Sequence, residues 1–284
     1  MEAMAKKPVK TSVKPVIVPL NSAPLAGGRG ANASQMASPS YRLAALDQDF
    51  LLGDSMRGVR FMLEYAKAEE ALDRWGVRST IVVFGSARFS EHGAPDHRRW
   101  YNEAREFARI ASERGGALLH NRHPRDNVIA TGGGPGIMEA ANRGATDAGA
   151  PSIGYNITLP HEQEPNAFST PELTFRFHYF AMRKMHFAMR ANALVVFPGG
   201  MGTLDELFEL LALRQTDKAP PIPIVLYDQK FWEEVINFDA MVKHGVISKP
   251  DESLFTYAET PEQAWQQCVD GGVLTRWLQE QHTT

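Results

Sequence analysis

Residues 193–211 read ALVVFPGGMGTLDELFELL. An apolar run of strand length, Ala193 to Phe197, is broken by Pro198, Gly199, Gly200 and Gly202, and leucines at 204, 207, 210 and 211 then follow at helical spacing. Strand, glycine turn and helix in this order form half of a βαβ unit. The chain repeats the pattern. Short apolar runs at 79–86, 127–134, 151–157, 173–177, 193–200 and 222–228 alternate with helical patterns at about 97–114, 136–148, 179–190, 203–214 and 230–242. Buried strands alternating with helices predict a doubly wound, Rossmann-like α/β fold: a mostly parallel sheet with helices on both faces. Ligands in that architecture bind outside the carboxyl ends of the strands.

The flanks differ from this region. Residues 1–40 are rich in Ala, Ser, Pro, Gly and Lys without an apolar period, so they bury too little to offset the entropy of ordering, and a mobile tail is expected. Residues 41–76 turn helical in pattern, with Val59, Met62, Leu63 and Ala66 on one predicted apolar face. The expected organisation is tail (1–40), helical N-terminal extension (41–76) and catalytic domain (77–284).

The whole chain of 284 residues carries 30 basic and 33 acidic side chains, a net charge of -3, which argues against a general nucleic-acid binder. No window approaches the roughly 18 apolar residues of a membrane span. One cysteine, Cys268, permits no internal disulfide, and the start MEAMAKKPVK lacks the apolar stretch of a signal peptide, so a cytoplasmic location is expected. The nine histidines show no metal-ligand spacing beyond His120 and His123, read as a solvated loop, and no metal or other cofactor is expected.

Three strand ends carry unusual turns: GSAR (85–88), TGGGPGIMEAA (131–141) and PGGMGTLDE (198–206). Glycines between a strand and a helix let backbone N–H groups approach an anion, and the helix N-terminus favours negative charge there; equally, glycines can serve tight turns alone. Spacing separates the nucleotide classes. No Gly-Lys pair exists for a phosphate loop of the G-x-x-x-x-G-K-[ST] kind, and no turn supplies the G-x-G-x-x-G of a dinucleotide site. The turns fit a mononucleotide better than NAD or ATP.

Two further stretches hold candidate chemistry. HYFAMRKMHFAMR (178–190) places Arg183, Phe187 and Arg190 on one helical face and Met182, Met185 and Met189 on another. That pattern suits a solvated basic face over a methionine-filled core, and it also suits a phosphate clamp, since the guanidinium fork matches phosphate oxygens. Thr203 followed three positions later by Glu206 matches the S/T-x-x-E capping box, worth about 1 kcal/mol at a helix start. Glu206 is therefore either a cap or a chemical group.

Taken together, these motifs resemble the LOG family, the cytokinin-activating phosphoribohydrolases often labelled "possible lysine decarboxylase". PGGMGTLDE matches the family's PGGxGTxxE signature, AMRK (181–184) its arginine-lysine pair, GGGPGIM its GGGxxGxM turn, and GSAR its first phosphate-side loop. LPHEQ (159–163) stands where the family has a glutamate-bearing loop. The likeness spans about 79–245. It departs from plant members in Asp205, in FHYFAMRK and in the N-terminal extension, so base preference stays open between AMP and N6-modified AMP.

The resemblance implies hydrolysis of the N-glycosidic bond of a purine nucleoside 5′-monophosphate to free base and ribose 5-phosphate. It implies Arg183 and Glu206 as the catalytic pair. It places Gly85, Ser86, Gly133, Gly134, Gly136, Glu162, Lys184, Gly199, Gly200, Gly202 and Thr203 at substrate- or phosphate-binding positions, and it implies a homodimer or an assembly of dimers. The competing class is a non-catalytic nucleotide or molybdenum-cofactor carrier, which shares the GGG turn without requiring the RK and PGGxGTxxE pair. A pyridoxal-dependent decarboxylase would need a Schiff-base lysine, and Lys184 is the only motif lysine.

Overall fold

The computed structural model describes residues 30–118, 124–158 and 164–274. The chain divides into two compact units at Arg60/Phe61. In the first unit lie two short helices, α1 (Ala33–Ala37) and α2 (Gln48–Leu52), and the start of α3 (Arg57–Arg74). Asp47 caps α2 by accepting from the Phe50 N–H, and the Arg60 guanidinium donates to the Leu51 and Gly53 carbonyls at 2.8 and 2.7 Å.

The second unit is the predicted α/β layer structure. In chain order after α3 come β1 (Thr80–Phe84), α4 (Pro95–Arg114), β2 (Val128–Thr131), α5 (Ile137–Asp147), β3 (Ser152–Ile157), β4 (Thr174–Phe177), α6 (Phe180–Arg190) and β5 (Ala191–Val196). Then follow α7 (Met201–Gln215), β6 (Ile224–Tyr227), α8 (Gln229–Val235), α9 (Phe238–Lys243), β7 (Thr256–Ala258) and α10 (Pro261–Asp270). The seven strands pair in parallel in the order β4-β3-β2-β1-β5-β6-β7. Order reverses between β1 and β5, so the turns leaving these two neighbours diverge and open a crevice at their carboxyl ends.

Side-chain alternation along β1 sorts the core into two layers. Ile81 and Val83 pack with Phe107 of α4, Ile137 of α5 and Trp265 of α10; Val82 and Phe84 pack with Leu72 of α3, Phe187 of α6, Leu207 of α7 and Trp232 of α8. Both layers are continuous along the sheet, which explains why the strands read as unbroken apolar runs. No helix among the described residues is long and apolar enough to cross a membrane.

Several local expectations change. The strand β7 and helix α10 lie beyond the last element read from sequence, and the helix expected over 230–242 is two helices, because Asn237 stops the first and caps α9 through the Ala240 N–H. On α3 the apolar stripe Val59, Met62 and Leu63 is exposed (38%, 66% and 54%), while Ala68 and Leu72 are buried. The inward face of α3 instead carries polar and aromatic side chains whose partners lie on α6.

Candidate functional site

Three glycine turns meet at the reversal of strand order, and backbone hydrogen bonds tie them together. Phe197 N–H donates to Phe84 O at 2.8 Å, Ser86 N–H to Pro198 O at 3.0 Å, and Ile137 N–H to Ser86 O at 3.0 Å. Close approach requires the glycines here. Gly136 has φ +74°, and a Cβ on it would lie 2.2 Å from Ser86 O.

The turns border a cleft of about 800 Å³ lined by Gly85, Ser86, Gly132, Arg183, Gly199, Gly200, Gly202 and Thr203 among others. The helix α7 starts at this wall. Its N-cap is Gly200, so the first N–H groups, those of Met201 and Gly202, have no acceptor within the helix and face the cleft end of its dipole. An anion fits there. Nothing lies within 4 Å of a Cβ built on Gly200 or Gly202, so the turn leaves that side open.

The capping box is absent. Helix α7 begins at Met201, two residues before Thr203, so Thr203 is the third helical residue and no side chain caps the start. Glu206 is thereby free of the cap and turned inward, 3% exposed. Its Oε1 lies 3.5 Å from Arg183 Nη2, within ion-pair range but without hydrogen-bond geometry; Arg183 Nε and Glu206 Oε1 are both buried without a hydrogen-bond partner among the described residues. Burial pushes the Glu206 carboxyl up to about 7, against the pull of the Lys184 and Arg183 cations, while nearby Glu209 and Asp205 push it further up. Burial likewise lowers the Arg183 pKa, opposed by Glu206.

The helix α6 carries Arg183 to this place. Its guanidinium lies over the Phe180 ring at 5.2 Å and the Phe187 ring at 5.8 Å, which hold the cation from the apolar side. Both Arg183 and Arg190 are buried to 13% side-chain exposure and Phe187 to 2%, whereas Met189 is 48% exposed. The arginine face therefore looks into the protein, the reverse of a solvated basic face. Each arginine tolerates burial because a carboxylate stands beside it.

The predicted site residues fall into three groups. Arg183, Gly85, Ser86, Gly199, Gly200, Gly202 and Thr203 line one cleft, with Glu206 immediately behind Arg183. Gly133, Gly134 and Gly136 do not line it: the Gly133 N–H donates to Thr131 Oγ1, Gly134 O accepts from Asn166 Nδ2, and the second turn reaches the cleft through Gly132 and Met138. Lys184 also lies off the cleft, its Nζ 2.8 Å from Asp205 Oδ2 and 2.9 Å from Glu209 Oε2. Glu162 lies outside the described residues, as do His120 and His123.

Other lining residues belong to no sequence motif. Phe89 stacks on His97 with centroids 4.3 Å apart and on Trp100 at 5.0 Å, and Phe89, His97, Phe231 and Val235 give the cleft an apolar wall opposite in character to the glycine turns. Arg88, the last residue of GSAR, is exposed at the rim. The wall is assembled from the β1–α4 connection, α4 and α8, so no single motif announces it.

Comparison with known proteins agrees with the motif reading. Residues 138–268 match the family described as "Possible lysine decarboxylase". The cytokinin riboside 5′-monophosphate phosphoribohydrolase LOG3 of Arabidopsis thaliana is 26% identical over 143 residues, covering 48% of this chain and 64% of that protein. The probable cytokinin riboside 5′-monophosphate phosphoribohydrolase LOG4 of Oryza sativa subsp. japonica is 26% identical over 136 residues, covering 47% of this chain and 58% of that one. The chain thus spans little more than half the length of the curated relatives it matches. Among solved structures, the molybdenum cofactor binding protein of Rippkaea orientalis is 18% identical with a TM-score of 0.46, covering 66% of this chain and 94% of that one. The Moco carrier protein of Chlamydomonas reinhardtii is 21% identical with a TM-score of 0.44, covering 70% and 99%. Likeness at that level bears on neither ligand nor activity.

Proposed function

We propose, from the premise that this chain is a relative of the LOG phosphoribohydrolases, that it hydrolyses the N-glycosidic bond of a purine nucleoside 5′-monophosphate, AMP or an N6-modified AMP. The observation that carries this reading is the Arg183–Glu206 pair, buried and short of hydrogen-bond partners, at the edge of a cleft whose other wall is a helix N-terminus opened by glycines. The 5′-phosphate sits against the Gly199–Thr203 turn and the start of α7, where N–H groups and the helix dipole favour an anion. The base lies toward the apolar wall of Phe89, His97 and Phe231.

Chemistry follows from charge. As the bond between C1′ and the base nitrogen breaks, the sugar gains oxocarbenium character, which a carboxylate a few ångströms away stabilises. Water supplies the oxygen to C1′ and a proton to the departing base. A carboxyl at about 7 is populated in both forms near neutral pH, which suits a group that must hold or release that proton. Arg183, at the surface of the cleft in front of Glu206, orients the carboxylate and screens it from bulk water.

Incubating the protein with AMP and N6-isopentenyl-AMP, and separating the products by chromatography, tests the reading. Free base and ribose 5-phosphate are expected, and Glu206→Gln should lower the rate by about 10²–10⁴-fold. Tight nucleotide binding without release of base from any purine monophosphate would favour a carrier instead.

A further inference from the structure

The catalytic assignment above depends on how α6 is held, and the hold comes from outside the family-matched segment. We propose that α3 is the brace of α6, and that its Glu64 and Glu69 are positioning residues that keep Arg183 in register with Glu206. This rests on the reading of Arg183 and Glu206 just given. Neither glutamate touches the cleft.

The N-cap residue of α6, Tyr179, makes no side-chain cap hydrogen bond. Glu64 supplies the missing anion from a helix more than a hundred positions earlier: its Oε1 accepts from the His178 N–H at 2.8 Å and its Oε2 from the Tyr179 N–H at 3.3 Å. A carboxylate at a helix N-terminus satisfies peptide donors and complements the dipole together. The Tyr179 carbonyl in turn accepts from the Arg183 N–H at 3.2 Å, so the residue whose N–H Glu64 holds is one helical turn from Arg183.

At the other end α6 runs directly into β5 with no intervening loop. There Glu69 takes Arg190 in a two-point contact, Nη1 to Oε1 at 2.5 Å and Nη2 to Oε2 at 2.9 Å, and lies 3.3 Å from His186 Nδ1. Ring contacts fill the span between. Phe61 meets Tyr179 edge-on at 4.3 Å, and Tyr65 stacks on His186 at 5.7 Å. Phe61, Glu64, Tyr65, Ala68, Glu69 and Leu72 recur at three- and four-residue spacing, so a single stripe of α3 faces α6. A helix fixed at both ends cannot turn about its axis, and the Arg183 guanidinium is thereby aimed. The aim matters because Arg183 and Glu206 are 3.5 Å apart without a hydrogen bond to hold them.

The test uses the full chain and the variants Glu64→Gln, Glu69→Gln and Glu70→Gln, the last an exposed residue paired, among the described residues, with Arg74 on α3 itself. Three quantities are measured: kcat and KM for AMP, amide exchange across 178–190, and the titration of Glu206 by carboxyl NMR. With Glu64→Gln or Glu69→Gln, kcat should fall about 10- to 10²-fold with KM nearly unchanged, the signature of a misplaced reacting group. Exchange in α6 should rise roughly tenfold, and the Glu206 titration should move, whereas Glu70→Gln should change none of the three. If the wild-type chain releases no base from any nucleotide, the proposed function falls, and the exchange and titration arms still decide the brace. Unmoved Glu206 titration together with α6 exchange no faster than in Glu70→Gln would overturn it.

Discussion

Helix α6 carries two arginine–glutamate pairs, two turns apart on one face, and they differ in every respect that geometry controls. Arg190 and Glu69 meet in a two-point fork at 2.5 and 2.9 Å, with a further contact from Arg190 Nε to Val77 O at 3.4 Å. Arg183 and Glu206 approach to 3.5 Å, and Arg183 Nε and Glu206 Oε1 find no hydrogen-bond partner among the described residues. The consequence shows in proton affinity: the neighbouring carboxylates raise Arg190 above its ordinary value despite burial, while burial prevails at Arg183 and at Glu206. The same two residue types therefore make a hydrogen-bonded tie in one place and, in the other, the loosely held pair to which the proposed function assigns the chemistry. What separates them is whether the desolvated charges are repaid by hydrogen bonds.

Breaking each pair should expose that difference in stability. Arg190→Met leaves Glu69 half-buried without its fork and is expected to cost about 3 kcal/mol in a urea unfolding experiment. Glu206→Gln removes a carboxylate that the fold holds at a disadvantage, and unfolding should need as much urea as wild type or more, despite the loss of activity. Equal destabilisation by the two changes would erase the distinction between the hydrogen-bonded pair and the loosely held one.

The pH dependence sharpens the same contrast. Glu206 is shifted from an ordinary value of 4.5 up to about 7, so between those values the folded chain keeps a proton that the unfolded chain has lost. Stability from this group is therefore full below about 4.5, declines as pH rises toward 7 and levels off above, a loss of about 3 kcal/mol at most. Unfolding free energies measured from pH 5 to 8 for wild type and Glu206→Gln should diverge across this window, with the wild type losing ground as pH rises. Parallel curves would place the Glu206 carboxyl near its ordinary value.

Much of this architecture was legible in the residues, for reasons that also mark where legibility stopped. Strands buried on both faces show themselves as apolar runs, and β1, β2, β3, β5 and β6 all do. The strand β7 is three residues at the sheet edge, with Thr256 exposed, and gives no run to read. Aliphatic spacing on α3 points to Val59, Met62 and Leu63, which are exposed. The helix's true inner stripe is amphipathic: Glu64, Tyr65 and Glu69 look like surface residues until α6 supplies partners. Motif spacing brought the PGGMGT turn and Arg183 to one cleft, but the GGG turn could not be resolved into Gly132, which reaches the cleft, and Gly133 and Gly136, which serve the turn itself. That distinction depends on a positive φ and on the nearness of Ser86, neither of which composition encodes.

Lys184 sets the finest comparison, since sequence places it beside Arg183 and the structure gives it a different neighbourhood. Its ammonium sits between Asp205 and Glu209 and is the largest of the charges that draw the Glu206 carboxyl down. Lys184→Met removes that pull and leaves two carboxylates facing Glu206 uncompensated, so the carboxyl should titrate about one unit higher. The kcat profile for AMP should shift by the same amount toward higher pH, with KM little changed. A lysine that instead grips the substrate would give the opposite split, a raised KM with the pH profile in place. The two outcomes cannot both follow from one role: a charge spent on Asp205 and Glu209 acts on the reaction through Glu206, and a charge that leaves them to meet a phosphate acts through binding.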